Sequence, residues 1–243
     1  MRVLVLSDIH ANYTALETVL KDAGEVDAVW CLGDLVGYGP DPNLVIETIR
    51  EQPNLICLKG NHDAAVSSDM DIEAFNGDAR LSLNWQRRVL TADSIEFLRA
   101  LPTSAQQGEV TLAHGSPRDP LWEYILNTFT ARINFEFFES RLCFVGHSHI
   151  QSAYFWDQEG HRVKPITMRV GESIALAEGR WILNPGSVGQ PRDRDPRAAY
   201  AIFDTETFTW EPRRVSYDVA EVQERIRKLG LPIRHALRLA EGW

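Results

Sequence analysis

A chain of 243 residues with 44% hydrophobic and 24% charged side chains can bury a full core as one large domain, and its composition excludes a disordered or fibrous protein. A net charge of −9 argues against general nucleic-acid binding, which gathers phosphates with clustered Lys and Arg. No apolar run reaches the length of a membrane span or a signal peptide, so a cytoplasmic location without membrane partners is expected. Cys31, Cys57 and Cys143 each lie in or beside an apolar run and read as buried free thiols.

Residues 2–6 read as a buried strand that runs into Ser7-Asp8-Ile9-His10. In an extended continuation residues two apart point the same way, so Asp8 and His10 would offer an oxygen and a nitrogen to one point. Asn12 is expected to cap a helix reaching about Asp22. A second buried strand, 28–32, ends in Gly33-Asp34 and a glycine-rich loop. Pro42 opens a helix to about Gln52, and 55–58 forms a third strand. Strand, helix, strand, helix, strand predicts a parallel sheet with right-handed crossovers.

The third strand leads into Gly60-Asn61-His62-Asp63, which sets an amide, an imidazole and a carboxylate side by side at the sheet rim where α/β proteins bind ligands. Alone, the stretch could equally be a capped turn. Residues 64–101 have helical spacing and read as an insertion covering one side of the site, within a single domain 1–243. Residues 109–113 form a strand ending in His114, 131–140 a helix, and 142–145 a strand ending in Gly146-His147-Ser148-His149. Segments 151–156, 161–170, 173–177 and 180–183 alternate as in an antiparallel meander. A turn-rich loop, 184–189, strands 199–203 and 208–215, and two short helices complete the chain. The expected class is α/β, with two packed mixed β-sheets flanked by helices.

Five of the seven histidines fall in four short segments after apolar runs; His161 and His235 stand apart and read as surface or structural. Asp8, His10, Asp34, Asn61, His114, His147 and His149 offer only oxygen and nitrogen ligands, which suits Mn, Fe, Zn, Co or Ni. Seven ligands are too many for one ion and suit two that share a bridging carboxylate, about 3.5–4 Å apart.

The succession Asp8-Ile9-His10, Gly33-Asp34, Gly60-Asn61-His62-Asp63, His114 and Gly146-His147-Ser148-His149 resembles the signature of the calcineurin-like metallophosphoesterase superfamily, and the Gly33-Asp34-x-x-Gly37-Tyr38-Gly39-Pro40 run with Asn184-Pro185-Gly186-Ser187 resembles its small bacterial and archaeal phosphoesterases. That resemblance implies a four-layer α/β/β/α sandwich holding two divalent ions, manganese favoured. Asp8, His10 and His149 would hold one ion, Asn61, His114 and His147 the other, and Asp34 would bridge. His62 would stay off the ions and face the scissile bond, as proton donor or as stabiliser of developing charge. The implied activity is hydrolysis of a phosphomonoester or phosphodiester, nucleotides and dinucleoside polyphosphates included, by in-line attack of a metal-bridging hydroxide. Where protein serine/threonine phosphatases of the superfamily carry Asp-Arg-Gly, this chain reads Gly37-Tyr38-Gly39 and lacks both an orienting aspartate and a phosphate-clamping arginine.

Arg118 and Arg192, each in a loop just beyond a motif, are the candidate substrate contacts. The main rival is a non-catalytic interaction scaffold on the same fold, against which the intact Asn61, His62, His147 and His149 weigh. A one-metal hydrolase of carbon esters or amides is the third reading. The expected partner is a small phosphorylated substrate; a homo-oligomer is compatible with the sequence.

Overall fold

A computed structural model describes residues 1–243 except 69, 158, 160, 161 and 177, so His161 and the edges of two expected strands lie outside the described residues. The chain opens with β1 (Arg2–Leu6), α1 (Tyr13–Ala23), β2 (Ala28–Cys31), α2 (Pro42–Arg50) and β3 (Ile56–Cys57). Helices α3 (Asn61–Ser67), α4 (Gly77–Val89) and α5 (Ala92–Ala100) follow, then β4 (Ser104–Gln107), β5 (Val110–Ala113), α6 (Thr128–Asn134) and β6 (Leu142–Phe144). The remainder comprises β7 (Gln151–Asp157), β8 (Arg162–Pro165), β9 (Ile174–Ala175), β10 (Arg180–Pro185), β11 (Ala198–Asp204), β12 (Thr209–Val215), α7 (Val219–Lys228) and α8 (Ile233–Glu241).

Among the described residues the strands form two six-stranded mixed sheets, ordered β3-β2-β1-β11-β12-β9 and β4-β5-β6-β10-β7-β8. β1, β2 and β3 are parallel, as are β5, β6 and β10. The strands expected to form one meander are divided between the sheets. β9 pairs antiparallel with β12 in the sheet of β1, whereas β10 joins β6 and carries β7 and β8 with it, and β11 pairs antiparallel with β1. Each apolar central strand thereby gains a neighbour on both edges, which satisfies its backbone groups.

Alternation along the strands sets the layers. Leu4 and Leu6 of β1 and Val29 and Cys31 of β2 pack with α1 and α2, while Val3, Val5, Ala28 and Trp30 face the second sheet. Leu142 and Phe144 of β6 meet them from across the interface, and Cys143 turns outward beneath α6. A strand buried on both faces reads as a continuous apolar run, as these do. All three cysteines are buried and free.

Phe144, fully buried, lies 4.7 Å from the Trp210 ring and 5.1 Å from Phe203. Phe144→Ala is expected to cost about 3–5 kcal/mol, read by urea unfolding. A loss under about 1 kcal/mol would mean that the two sheets close over the void.

Two elements differ from the sequence expectation for local reasons. α6 starts at Thr128, not 131, because the Asn127 side chain accepts a hydrogen bond from the Thr130 amide and caps it there. β4 is an exposed, polar edge strand whose Ser-Ala-Gln-Gln carries no apolar alternation.

Candidate active site

The segments leaving β1, β2, β3, β5 and β6 converge, but not by running on as strands. Asp8, His10, Asp34, His147 and His149 take left-handed backbone conformations, with φ of 53°, 49°, 55°, 62° and 59°. Asp8 and His10 therefore meet through a tight turn, correcting the extended geometry expected for them. The turn is held because the Asp8, His10 and Ala11 amides donate to the carbonyls of Gly33, Asp34 and Leu35. Each left-handed non-glycine residue costs roughly 1–2 kcal/mol, and five such residues on one cluster mark a functional constraint.

Each carboxylate is fixed at one oxygen and bare at the other. Asp8 Oδ2 accepts from the His147 amide (3.0 Å) and Asp34 Oδ1 from the His62 amide (2.9 Å). Asp8 Oδ1 and Asp34 Oδ2 are buried with no hydrogen-bond partner, as is His147 Nε2. The imidazoles are aimed in the same way. His10, His114 and His149 donate from Nδ1 to the carbonyls of Val36, Leu32 and Gln190, which turns each Nε2 into the cluster, with a lone pair wherever the ring is neutral.

Two such lone pairs, on His10 and His149, face each other at 3.1 Å, and His149 Nε2 is 3.3 Å from the bare Asp8 oxygen. His114 Nε2 stands 3.2 Å from Asn61 Oδ1 and 3.2 Å from His147 Nδ1. Asp34 Oδ2 lies between the groups, 3.6 Å from His10 Nε2 and 3.4 Å from His114 Nε2. Donor atoms about 2.1 Å from one cation at tetrahedral or octahedral angles are roughly 3.0–3.4 Å apart. Lone pairs and bare carboxylate oxygens at these separations need positive charge between them, so the donor set fits divalent cations.

The electrostatics show what an ion would displace. Burial opposes charge on His114, but Asp34 and Asp8 outweigh it and raise His114 to about 9. A proton there is the local substitute for a cation. Burial lowers His10 and His149 well below the usual imidazole value, His62 to about 4 and His147 to about 3, with Arg192 adding to all four. Burial also lifts Asp8 to about 6.

The cluster floors a cavity of about 370 Å³ lined by Tyr38, His62, Phe75, Trp122, Tyr124 and Arg192, among others. His62 is wedged between rings, 4.6 Å from Tyr38 and edge-on to Phe75 and His10 at 4.9 Å. These faces hold the His62 ring in place. Gly37 is required here: its φ is +97°, and a Cβ would sit 2.3 Å from His62 Nδ1.

Arg192 reaches the cavity and Arg118 does not line it. The Arg118 guanidinium is paired with Glu123. His235 is buried, with Nε2 against the Asp78 carbonyl and its ring 4.9 Å from Tyr38, and is structural.

Several supporting residues carry no signal of their own in the sequence. Asp63 accepts from the amides of Asp34, Gly60 and Val36 and so ties two motif loops together. Gln86, from α4, accepts from the Gly37 amide and donates to the Gly39 carbonyl. Asn184 donates to the Gly146 carbonyl and Ser148 Oγ. Arg238 and Trp243 reach the cavity from the end of the chain. Only Asp63, inside a motif, and Asn184, opening the turn-rich Asn184-Pro185-Gly186-Ser187 run, stand out in the sequence.

Fold and site together define a phosphoester hydrolase architecture with a cation-ready floor. The chain belongs to the calcineurin-like phosphoesterase superfamily, whose domain model matches residues 1–208. It is 44% identical to a metallophosphoesterase of Sphaerobacter thermophilus, whose crystal structure superposes with a TM-score of 0.92 over 100% of this chain and 99% of that one. An uncharacterized protein of Methanocaldococcus jannaschii is 35% identical over 237 residues, 95% of this chain and 93% of that protein. A shorter similarity, 37% over 67 residues, covers 26% of this chain and 24% of the symmetrical bis(5'-nucleosyl)-tetraphosphatase of Erwinia tasmaniensis. Among the described residues no helix is long and apolar enough to cross a membrane.

Proposed function

We propose that this protein is a cytoplasmic, metal-dependent phosphoesterase that acts on a small phosphomonoester or phosphodiester, with nucleotides and dinucleoside polyphosphates as the leading candidates. The observation that carries this reading is the convergence of seven oxygen and nitrogen donors in two groups joined at Asp34. In it, Asp8, His10 and His149 would hold one ion, Asn61, His114 and His147 the other, and Asp34 would serve both. The nucleotide preference draws on the tetraphosphatase similarity, which spans the first motifs only.

When bound, two divalent ions, manganese favoured, supply Lewis acidity toward phosphoryl oxygens and lower the pKa of a coordinated water from 15.7 to about 7. That lowering is worth on the order of 12 kcal/mol, whereas phosphomonoester hydrolysis can call for about 28 kcal/mol of barrier reduction. The difference falls to the chain's own groups through positioning and charge stabilisation. Arg192 projects a guanidinium toward the phosphoryl oxygens, its buried Nε without an internal acceptor. His62, neutral above about pH 4, offers a ring N–H to the leaving oxygen. Phe75 and Trp122, 5.1 Å apart and edge to face, add apolar lining to the cavity.

His62→Ala is expected to keep the ions and lower kcat by about 10²- to 10⁴-fold, read by ion content beside turnover. Full activity without the imidazole would remove it from the mechanism. The direct test of the reading is turnover of p-nitrophenyl phosphate and bis-p-nitrophenyl phosphate by the manganese-loaded protein. Hydrolysis of either that stops on ion removal supports it, and the ratio of rates ranks monoester against diester. An ion-loaded protein that hydrolyses neither would favour the scaffold reading.

A further inference from the structure

The ligand cluster is not the whole of the cavity's charge. Two guanidinium groups share its outer wall: Arg192, from the loop after β10, and Arg238, from α8. Arg192 Nη2 donates to the Tyr38 hydroxyl and to Gln190 Oε1, both at 3.3 Å, while its Nε is buried with no acceptor. Arg238 lies 5.7 Å from the Trp243 ring centroid. Among the described residues neither arginine makes an ion pair with an Asp or Glu.

The two charges feel each other. Burial first, and then the charge of Arg192, lower the basicity of Arg238, with Tyr38 and Asp78 opposing. Asp8 acts on Arg192 and Asp78 on Arg238 only from beyond ion-pair distance, and partly buried like charges without a directly paired carboxylate are costly to hold and are eased where an anion completes them. One phosphoryl group at the ligand cluster answers Arg192 and leaves Arg238 unanswered. Arginine's forked donors suit a second phosphate. The same cavity is lined by aromatic rings, with Trp122 edge-on to Phe75 and Tyr124 stacked on His147 at 3.9 Å, which offer apolar surface to the rest of a ligand.

We propose that Arg238, on the same cavity as Arg192, forms a second anionic subsite, so that the substrate carries a further phosphate next to the scissile one. The substrate class is then a phosphoanhydride-bearing nucleotide, its scissile phosphate at Arg192, its second phosphate on Arg238 and its base against the aromatic lining. Arg238 sets specificity and does not touch the reacting atoms. The subsite rests on the phosphoesterase reading of the same cavity, yet it makes a binding prediction that needs no turnover.

The test is calorimetric binding of imidodiphosphate and of orthophosphate to the manganese-loaded full chain, as wild type, Arg238→Gln and Arg238→Lys. Wild type is expected to prefer imidodiphosphate, and Arg238→Gln to cut the ratio of the two affinities by about tenfold or more. Arg238→Lys should recover part of the ratio and also gives a reading if the glutamine variant fails to fold. An unchanged ratio in Arg238→Gln, or equal weakening of both ligands, would overturn the subsite. Failure of the underlying reading would show separately, as absence of ion-dependent p-nitrophenyl phosphate turnover.

Discussion

Asp34→Asn is expected to abolish turnover, by on the order of 10³-fold or more, and to cost at least about 100-fold in affinity for one or both ions. The substitution is nearly isosteric. The side-chain oxygen that accepts from the His62 amide is retained, so the loop after β2 keeps its anchor. What changes is the bare oxygen between His10 Nε2 and His114 Nε2. An amide there presents an N–H donor to the His10 lone pair and removes the one charge both groups share. The variant should melt within a few degrees of the ion-free wild type while binding ions poorly, which separates loss of site from loss of fold. Wild-type ion content and rate in Asp34→Asn would show that Asp34 bridges nothing.

The second large effect is a linkage between ions, protons and stability. In the ion-free protein His114 holds a proton up to about pH 9, so ion capture at neutral pH must release it. The apparent ion affinity therefore rises with pH, by about tenfold per unit below 9, and levels off above. Below about pH 6 the slope steepens because Asp8 must also give up a proton. Each site filled at 100 times its Kd adds about 2.7 kcal/mol, or roughly 5–10 °C in Tm for a chain of this size. The difference in Tm between loaded and stripped protein should thus shrink as pH falls from 9 to 6. A difference constant across that range, with no proton release in calorimetry, would contradict the donor assignment.

The motif positions were legible because of how this fold uses its strands. Residues 3–6, 28–32 and 142–145 are buried on both faces, so they stand out as apolar runs, and the polar residues that end them stand out in turn. Asp8, Asp34, Asn61, His114, His147 and His149 all follow such a run, at the rim where parallel strands end.

What could not be read depends on distance or on backbone strain. Alternation cannot reveal that the chain turns left-handed at Asp8 and His10, because that conformation is imposed by amides bonding to the neighbouring loop. Gln86 secures the Gly37-Tyr38-Gly39 loop from 49 residues away, and a lone glutamine in a helix carries no pattern. Arg238 belongs to an amphipathic helix whose sequence fixes its buried face, with Ala236 and Leu239, but not the cavity it borders. Strand partners were likewise hidden, since β10 and β11 are similar apolar runs that join different sheets.

Ion content by mass spectrometry, paired with phosphoester turnover on the same stripped and reloaded samples, addresses the central claim most directly. About two ions per chain are expected on reloading, with turnover absent from the stripped protein and restored in proportion to the ions bound. A stripped protein that hydrolyses as fast as the loaded one, or an intact chain that retains no divalent ion at pH 8, would contradict it.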